Sequence, residues 1–360
     1  MRGRQDNQAF MLSTLTPNDL VRPDHTIRKI KPIVDRILTQ LSPTFTAMYT
    51  EKGRPSIPPE HLLKGCLLIA LFSIRSARQF CEQLEYTMLF KWFLDLNIGD
   101  PAFDPSTFSK NRERLLEHEV AAKCFQAVVA EAKERRLLRA DHFTVDGTLL
   151  EAWASLKSFR PKDGSGGPTP PGRNPAVDFH REERLNATHA STTDPEALLA
   201  RKGKGKEAKL SFLAGILMEN KEGILMDITV ARATGTAERE TALGHVEKRP
   251  GTRRLTVGAD KAYDSQAFVE GCRARNVTPQ VAQRQHSSID RRATRHPGYA
   301  VGQRVRKRVE EIFGWIKTVG GGRKLRYRGV RKNQLWAEMT GAAYNLVRLA
   351  KLLPDAPLPG

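Results

Sequence analysis

Cysteine is scarce and scattered: Cys66, Cys81, Cys124 and Cys272 are the only four in 360 residues, and no two make a Cys-x-x-Cys pair. That spacing excludes a disulfide framework and a zinc knuckle, and it predicts buried, reduced thiols. Long apolar runs are missing too. The longest, around Leu62–Ile74, is broken by Lys64 and Ser73, well short of the ~18 residues that a bilayer crossing needs. The opening Met1-Arg-Gly-Arg-Gln-Asp lacks the apolar segment of a secretory signal, so a cytoplasmic location with no membrane contact is expected. Aromatics are only 7%, and the histidines show no His-x-His or His-Glu-x-x-His spacing. Acid is short as well: 40 Asp and Glu stand against 59 Lys and Arg, a formal net charge of +19.

What is present is a 39% hydrophobic content, enough for a sizeable core, in a chain long enough for two domains. A disordered tail is thereby excluded, and a small-metabolite enzyme is disfavoured because it gains nothing from so positive a field. The basic excess predicts a polyanionic partner, most simply nucleic acid.

The first 140 residues read as helical. Ser56-Ile-Pro-Pro-Glu60 starts a helix through Ile74, and another is expected from Ser76 to Leu96. Asp104-Pro-Ser-Thr107 opens a third, with Asp capping exposed amides and Pro where no amide is needed. Its continuation, Phe108-Ser-Lys-Asn-Arg-Glu-Arg114, is polar and basic, and a fourth helix covers about 120–136. A helix-turn-helix-like groove binder and an ordinary bundle with a solvated face both fit that pattern.

The periodicity changes at His142. Phe143-Thr-Val-Asp-Gly-Thr148 reads as a short strand ending in a carboxylate and a glycine. Nine of the fifteen residues from Pro161 to Pro175 are Gly or Pro, so neither helix nor strand is expected there. The polar stretch continues through Lys209 and includes Arg201-Lys-Gly-Lys-Gly-Lys206, a solvated linker or, alternatively, a phosphate contact. Beyond it come a hairpin (Ser211–Met218, Ile224–Ala231), a helix over 236–247 and the strand Leu255-Thr-Val-Gly-Ala-Asp260. A helix over 265–275, a strand over 277–282, a basic helix over 302–319 and a closing helix over 333–353 complete a mixed α/β unit.

Two of these strands end in aspartate, Asp146 and Asp260. The carboxyl ends of strands are where ligands gather in open sheets, and neighbouring carboxylates repel unless a cation lies between them. A hard divalent cation such as Mg²⁺ meets that need; a turn at Asp146-Gly147 and a helix cap at Asp260 are the competing readings. In the basic helix Arg306, Glu310 and Lys317 share one flank, since steps of four and seven residues return to nearly the same azimuth. Glu311 is the rival carboxylate, further from the apolar stripe formed by Val305, Val309, Ile312, Phe313 and Ile316. Between Arg273 and Lys332 there are 17 Lys and Arg against three acids, +14 of the total +19. Gly320-Gly-Gly322 followed by Arg323-Lys-Leu-Arg-Tyr-Arg328 reads as a flexible basic arm or as a disordered connector, and Trp315 reads as a core residue or a base-stacking one.

Over nearly its whole length the chain resembles the DDE transposases of bacterial insertion sequences, most closely the group named after insertion sequence five. The resemblance runs through Gly53-Arg-Pro-Ser-Ile-Pro-Pro-Glu60, Leu71-Phe-Ser-Ile-Arg-Ser76, Asp104-Pro-Ser-Thr-Phe-Ser-Lys-Asn-Arg112, Val145-Asp-Gly-Thr148, His189-Ala-Ser-Thr-Thr-Asp-Pro195, Ala233-Thr-Gly-Thr-Ala-Glu-Arg239 and Ala259-Asp-Lys-Ala-Tyr-Asp-Ser265. The family signature Tyr-x2-Arg-x3-Glu-x6-Lys falls on Arg306, Glu310 and Lys317, with Gln303 where the tyrosine would be and Tyr299 four residues upstream. The likeness implies a helical N-terminal DNA-binding domain (1–140) and an RNase H-like catalytic domain (141–353) with an insertion at about 157–209, then a tail (354–360). It implies Asp146, Asp260 and Glu310 as catalytic metal ligands, with two Mg²⁺ ions (Mn²⁺ as substitute) and Arg306 and Lys317 on the phosphates. Lys110, Arg112, Arg323, Lys324 and Arg326 are the further candidates for DNA contact. Terminal inverted repeats and target DNA are the expected partners, with a homodimer in the synaptic complex. A structure-selective nuclease or resolvase and a non-catalytic DNA-binding regulator are the alternatives carried forward.

Overall fold

The computed structural model describes residues 16–49, 56–138, 141–163, 185–203, 205–249, 254–295 and 297–354. Helices come first: α1 (Pro17–Leu20), α2 (Ile27–Ala47), α3 (Pro59–Leu71), α4 (Ala77–Tyr86), α5 (Met88–Phe93), α6 (Pro105–Glu117) and α7 (Val120–Glu134). Their starts follow capping chemistry. Ser76 accepts the Gln79 amide at 3.1 Å, and Asp104 accepts the Thr107 amide at 2.7 Å with Pro105 at the first helical position. The single helix expected over 76–96 is two, because Thr87 takes up an extended backbone (φ −98°, ψ 105°) that ends α4 and starts α5.

Eight strands follow, β1 (His142–Glu151), β2 (Phe159–Pro161), β3 (His189–Ser191), β4 (Leu198–Arg201), β5 (Ala208–Glu219), β6 (Leu225–Arg232), β7 (Leu255–Ala259) and β8 (Val277–Val281). The remaining helices are α8 (Ala237–Glu247), α9 (Gln266–Ala274), α10 (Arg291–Arg295), α11 (Pro297–Val305), α12 (Val309–Thr318) and α13 (Val330–Leu352). β1 is central. It runs antiparallel to β5, with Asp146 opposite Ile216, and parallel to β7, with Thr144 beside Gly258. β7 continues in parallel to β8, while β6 turns back antiparallel along β5. Ser211 pairs with Glu151 on one side and Leu198 on the other, so β4 shares the outer edge of β5 with β6.

Three expectations change here. β1 does not stop at Thr148 but runs through to Glu151, so Asp146-Gly147 is mid-strand and not a turn. Residues 198–201, expected as solvated linker, add an edge strand, and the half-buried Leu198 and Leu199 supply the reason. Most of the Gly/Pro-rich stretch falls in 164–184, outside the described residues. The third change is the glycine-rich segment 320–328, which is neither an arm nor a loose connector. Leu325 is buried and its amide donates to the Glu151 carbonyl at 2.8 Å, while the Trp336 indole donates to Gly320. Gly320 and Gly322 have no room for a Cβ against Thr340 and Trp336, so the glycines serve close packing.

One helix ties the two halves. α13 packs on α2, α3 and α7 on one side and on β6 on the other. Its Asn345, fully buried, accepts the Leu225 amide at 2.9 Å and donates to the Leu225 carbonyl at 2.8 Å, clamping helix to strand as another strand would. A single apolar cluster therefore runs from Ile27 through Phe125 to Ile228 and Leu349. All four cysteines are free and buried within it, their thiols pushed up to about 11 or 12 mainly by burial. Among the described residues no helix is long and apolar enough to cross a membrane. Asn345→Ala strands both polar groups of Leu225 in an apolar layer and is expected to cost ~1–3 kcal/mol of stability, read by urea unfolding.

Candidate active site

The parallel register of β1 and β7 pairs Thr144 with Gly258. Two residues further along the chain from that pair stand Asp146, on β1, and Asp260, just past the end of β7, close enough for the charge of Asp260 to act on Asp146. Asp260 has left the ladder and caps the turn at Lys261–Tyr263, accepting the Ala262 amide at 2.6 Å. Asp146 folds back on the Gly147 amide at 2.8 Å. Its carboxyl is pushed up to about 7, first by burial and then by the charges of Asp260 and Glu238 facing it.

Glu238 was not foreseen. It lies in the first turn of α8, where Thr234 caps the Ala237 amide at 3.0 Å. Its Cγ comes within 2.7 Å of where a Gly147 Cβ would be. Gly147 faces Gly215 across the β1–β5 ladder, and Thr241 of α8 fills the space over Gly215. Two opposed glycines thus let the helix sit directly on the backbone. Burial and the Asp260 charge also raise the Glu238 carboxyl. No spacing from Asp146 or Asp260 marks this residue; the usable signal was a threonine cap followed by acid in the first turn.

Two cations border the carboxylates. Lys317 donates to Thr148, two residues past Asp146, at 2.5 Å. Its ammonium is pushed below its ordinary range by burial and then by Lys202, so the lysine-rich turn after β4 reaches the same side of the site. Arg306 packs over Gly258 and faces Asp146. Gln303, in place of the signature tyrosine, bridges the Gln280 carbonyl (2.6 Å) and the Arg306 Nε (2.9 Å), so an amide holds the arginine. Tyr299 instead donates to the Val281 carbonyl at 2.8 Å.

The expected single helix over 302–319 is broken by a tight turn at Arg306–Arg308. Glu310 and Glu311 are both exposed at the start of α12. Glu310 shares an azimuth with Lys317, seven residues on. Among the described residues no three His, Cys, Asp or Glu side chains are gathered as a ready metal cage. Trp315 packs edge-on against Tyr344 at 5.7 Å, a core role.

The other candidate DNA contacts divide. Lys110, Arg323 and Lys324 are exposed, Lys324 lying 3.6 Å from Glu151. Arg112 stacks on Tyr327 and bonds its hydroxyl at 2.9 Å, and Arg326 donates to the Ile74 carbonyl at 2.6 Å. Those two guanidinium groups join the helical half to the segment before α13.

The donor set around Asp146 is all carboxylate oxygen, which fits a hard divalent ion and not a thiophilic one. In the metal-free protein, the stability that a neutral Asp146 provides is present below the ordinary 3.8 and lost as pH rises through about 7. Asp146→Asn is therefore expected to stabilise the metal-free chain at about pH 8 by ~1–3 kcal/mol. The gap should narrow as pH falls toward 4, followed by thermal unfolding in chelator.

Two family models match the chain. One, described as a transposase domain (DUF772), covers residues 15–114; the other, a transposase DDE domain, covers residues 185–346 and so includes Asp260, Arg306, Glu310 and Lys317. Asp146 falls in the interval between them. No curated protein matches. Among solved structures, a piggyBac transposase in a synaptic complex with hairpin DNA is similar over 90% of this chain and 75% of that one, with 10% identity and a TM-score of 0.41, too slight a likeness to argue from. With two transposase regions in succession along it, the chain is a DNA transposase of the DDE, insertion-sequence type, a metal-dependent enzyme of DNA cleavage and joining.

Proposed function

We propose that the chain binds the terminal inverted repeats of an insertion sequence of the insertion-sequence-five group and moves it by cut-and-paste transposition. Asp146, Asp260 and Glu310 form the catalytic centre. The observation that carries this is the nearness of Asp146, on β1, to Asp260, just past the end of the parallel neighbour β7, bordered by Lys317 and Arg306. The sheet order β6-β5-β1-β7-β8, antiparallel on one side of β1 and parallel on the other, supports an RNase H-like reading of residues 141–353. Residues 1–140 are then the end-binding part, and the chain works at the nucleoid as a dimer that pairs two ends.

Asp146, Asp260 and Glu310 would hold two Mg²⁺ ions, or Mn²⁺ in their place. When bound, such ions stabilise the attacking and leaving oxygens of an in-line displacement at phosphorus. The protein's own part is positioning. Lys317, tethered to Thr148, and Arg306, held by Gln303, set the scissile phosphate against the carboxylates. Glu310, exposed on the same helix face as Lys317, would close on the site once bound cations offset the repulsion among the carboxylates. Lys110, Arg323, Lys324 and the Lys202 turn extend the basic track along the duplex, with Arg112 and Arg326 steadying it from the seam.

Asp146→Asn, Asp260→Asn and Glu310→Gln are each expected to abolish cleavage and joining of end-containing DNA, by 10³-fold or more, with end binding retained in a mobility-shift assay. Normal cleavage by any of them removes that residue from the centre. Lys317→Ala should weaken binding to DNA of any sequence and flatten its dependence on salt by about one counterion. An unchanged salt slope would count against its phosphate role.

A further inference from the structure

We propose that Glu238 is a further metal-holding carboxylate of this centre, standing with Asp146 and Asp260 before DNA arrives; the inference rests on the assignment of those two aspartates as metal ligands. Three observations support this. Glu238 is laid on the strand beside Asp146, its Cγ 2.7 Å and its Oε1 3.0 Å from the position a Gly147 Cβ would take, so Gly147 is a cradle that any side chain would fill. α8 can bring it so close only because Gly147 and Gly215 are opposed across the ladder and Thr241 docks over the second of them. Finally, Tyr263, 1% exposed, points its hydroxyl into the space among Glu238, Asp146 and Asp260 without completing a hydrogen bond there.

A buried phenol hydroxyl whose one neighbour, Glu238, lies beyond good hydrogen-bond geometry costs free energy, and a half-buried carboxylate beside two others costs more. Both costs fall if a divalent cation occupies the space, because the carboxylates then turn to the ion and the phenol can donate to a freed carboxylate oxygen. Asp146 accepts the Gly147 amide and Asp260 the Ala262 amide, so both side chains would have to turn from those amides, on a backbone set by strand pairing and by the seat of α8 on the two glycines, to share an ion with Glu238. Glu310, by contrast, is exposed on α12. Metal held by Asp146, Asp260 and Glu238 in the free protein, with Glu310 recruited on DNA binding, accounts for both placements.

The test is direct binding of Mn²⁺ to the full-length, DNA-free protein, followed by the electron paramagnetic resonance signal of the free ion. Glu238→Gln is expected to weaken Mn²⁺ binding about tenfold or more, while Glu311→Gln, an exposed acid outside the centre, leaves it within about twofold. Glu238→Asp, which keeps the charge, should recover part of the loss, and it decides the matter if Glu238→Gln melts early. Wild-type Mn²⁺ affinity in Glu238→Gln, with affinity lost in Asp146→Asn, overturns the role of Glu238 and leaves the aspartate site standing. Wild-type affinity in both Asp146→Asn and Asp260→Asn overturns the site itself.

Discussion

Everything at the candidate site depends on one hydrogen-bonded register. β1 and β7 run parallel with Thr144 beside Gly258, and that pairing brings Asp146 on β1 near Asp260, just past the end of β7. Two anions held at strand spacing and partly out of water work against folding, and the Asp146 carboxyl responds by keeping its proton up to about 7. The sheet can carry this cost because it is braced on both sides: β5 pairs with β1 along nine residues, and β8 with β7 along five. The chain accepts a local loss of stability where it needs a high density of oxygen donors, a trade common at functional sites.

The second organising element is α13. By packing on the helical half and on β6 together, and by clamping β6 through Asn345, it makes one apolar core of what composition suggested as two units. Arg112 on Tyr327 and Arg326 on the Ile74 carbonyl seal the same junction. Two residues that a reader of the sequence assigns to DNA by charge are thereby engaged in protein contacts, a reminder that an arginine's planar donors serve a buried carbonyl or an aromatic face as well as a phosphate.

How much of this was legible beforehand depended on whether the signal was local. Caps announced themselves: Ser76 and Asp104 do what their positions promise. The hairpin at 208–232 and the strand at 255–259 followed from alternation and turn residues. The extension of β1 to Glu151 did not, because Asp-Gly has the chemistry of a turn and only pairing with Gly215 and Ile216 overrides it. The packed turn at 320–328 was hidden for the same reason, its glycines answering to Thr340 and Trp336, residues that only the fold brings near. Of the candidate site, Asp260 was readable as a strand-end acid and Arg306 and Lys317 by family spacing, whereas Asp146, read as closing a short strand, lies in the middle of a longer one. Glu238 was not, since its proximity arises from two glycines opposed on different strands, and Gln303 as the holder of Arg306 emerges only through the Gln280 carbonyl.

The continuous core around α13 has a mechanical corollary. A helical half that reads the transposon end, as proposed, is welded to the carboxylates and does not swing on a tether, so the protein acts as a ruler. With bases stacked ~3.4 Å apart along each strand, a rigid body that shifts by less than that distance selects the same phosphodiester bond at every end it meets. On that reading, fidelity in where the element is severed would come from the continuity of the core around α13.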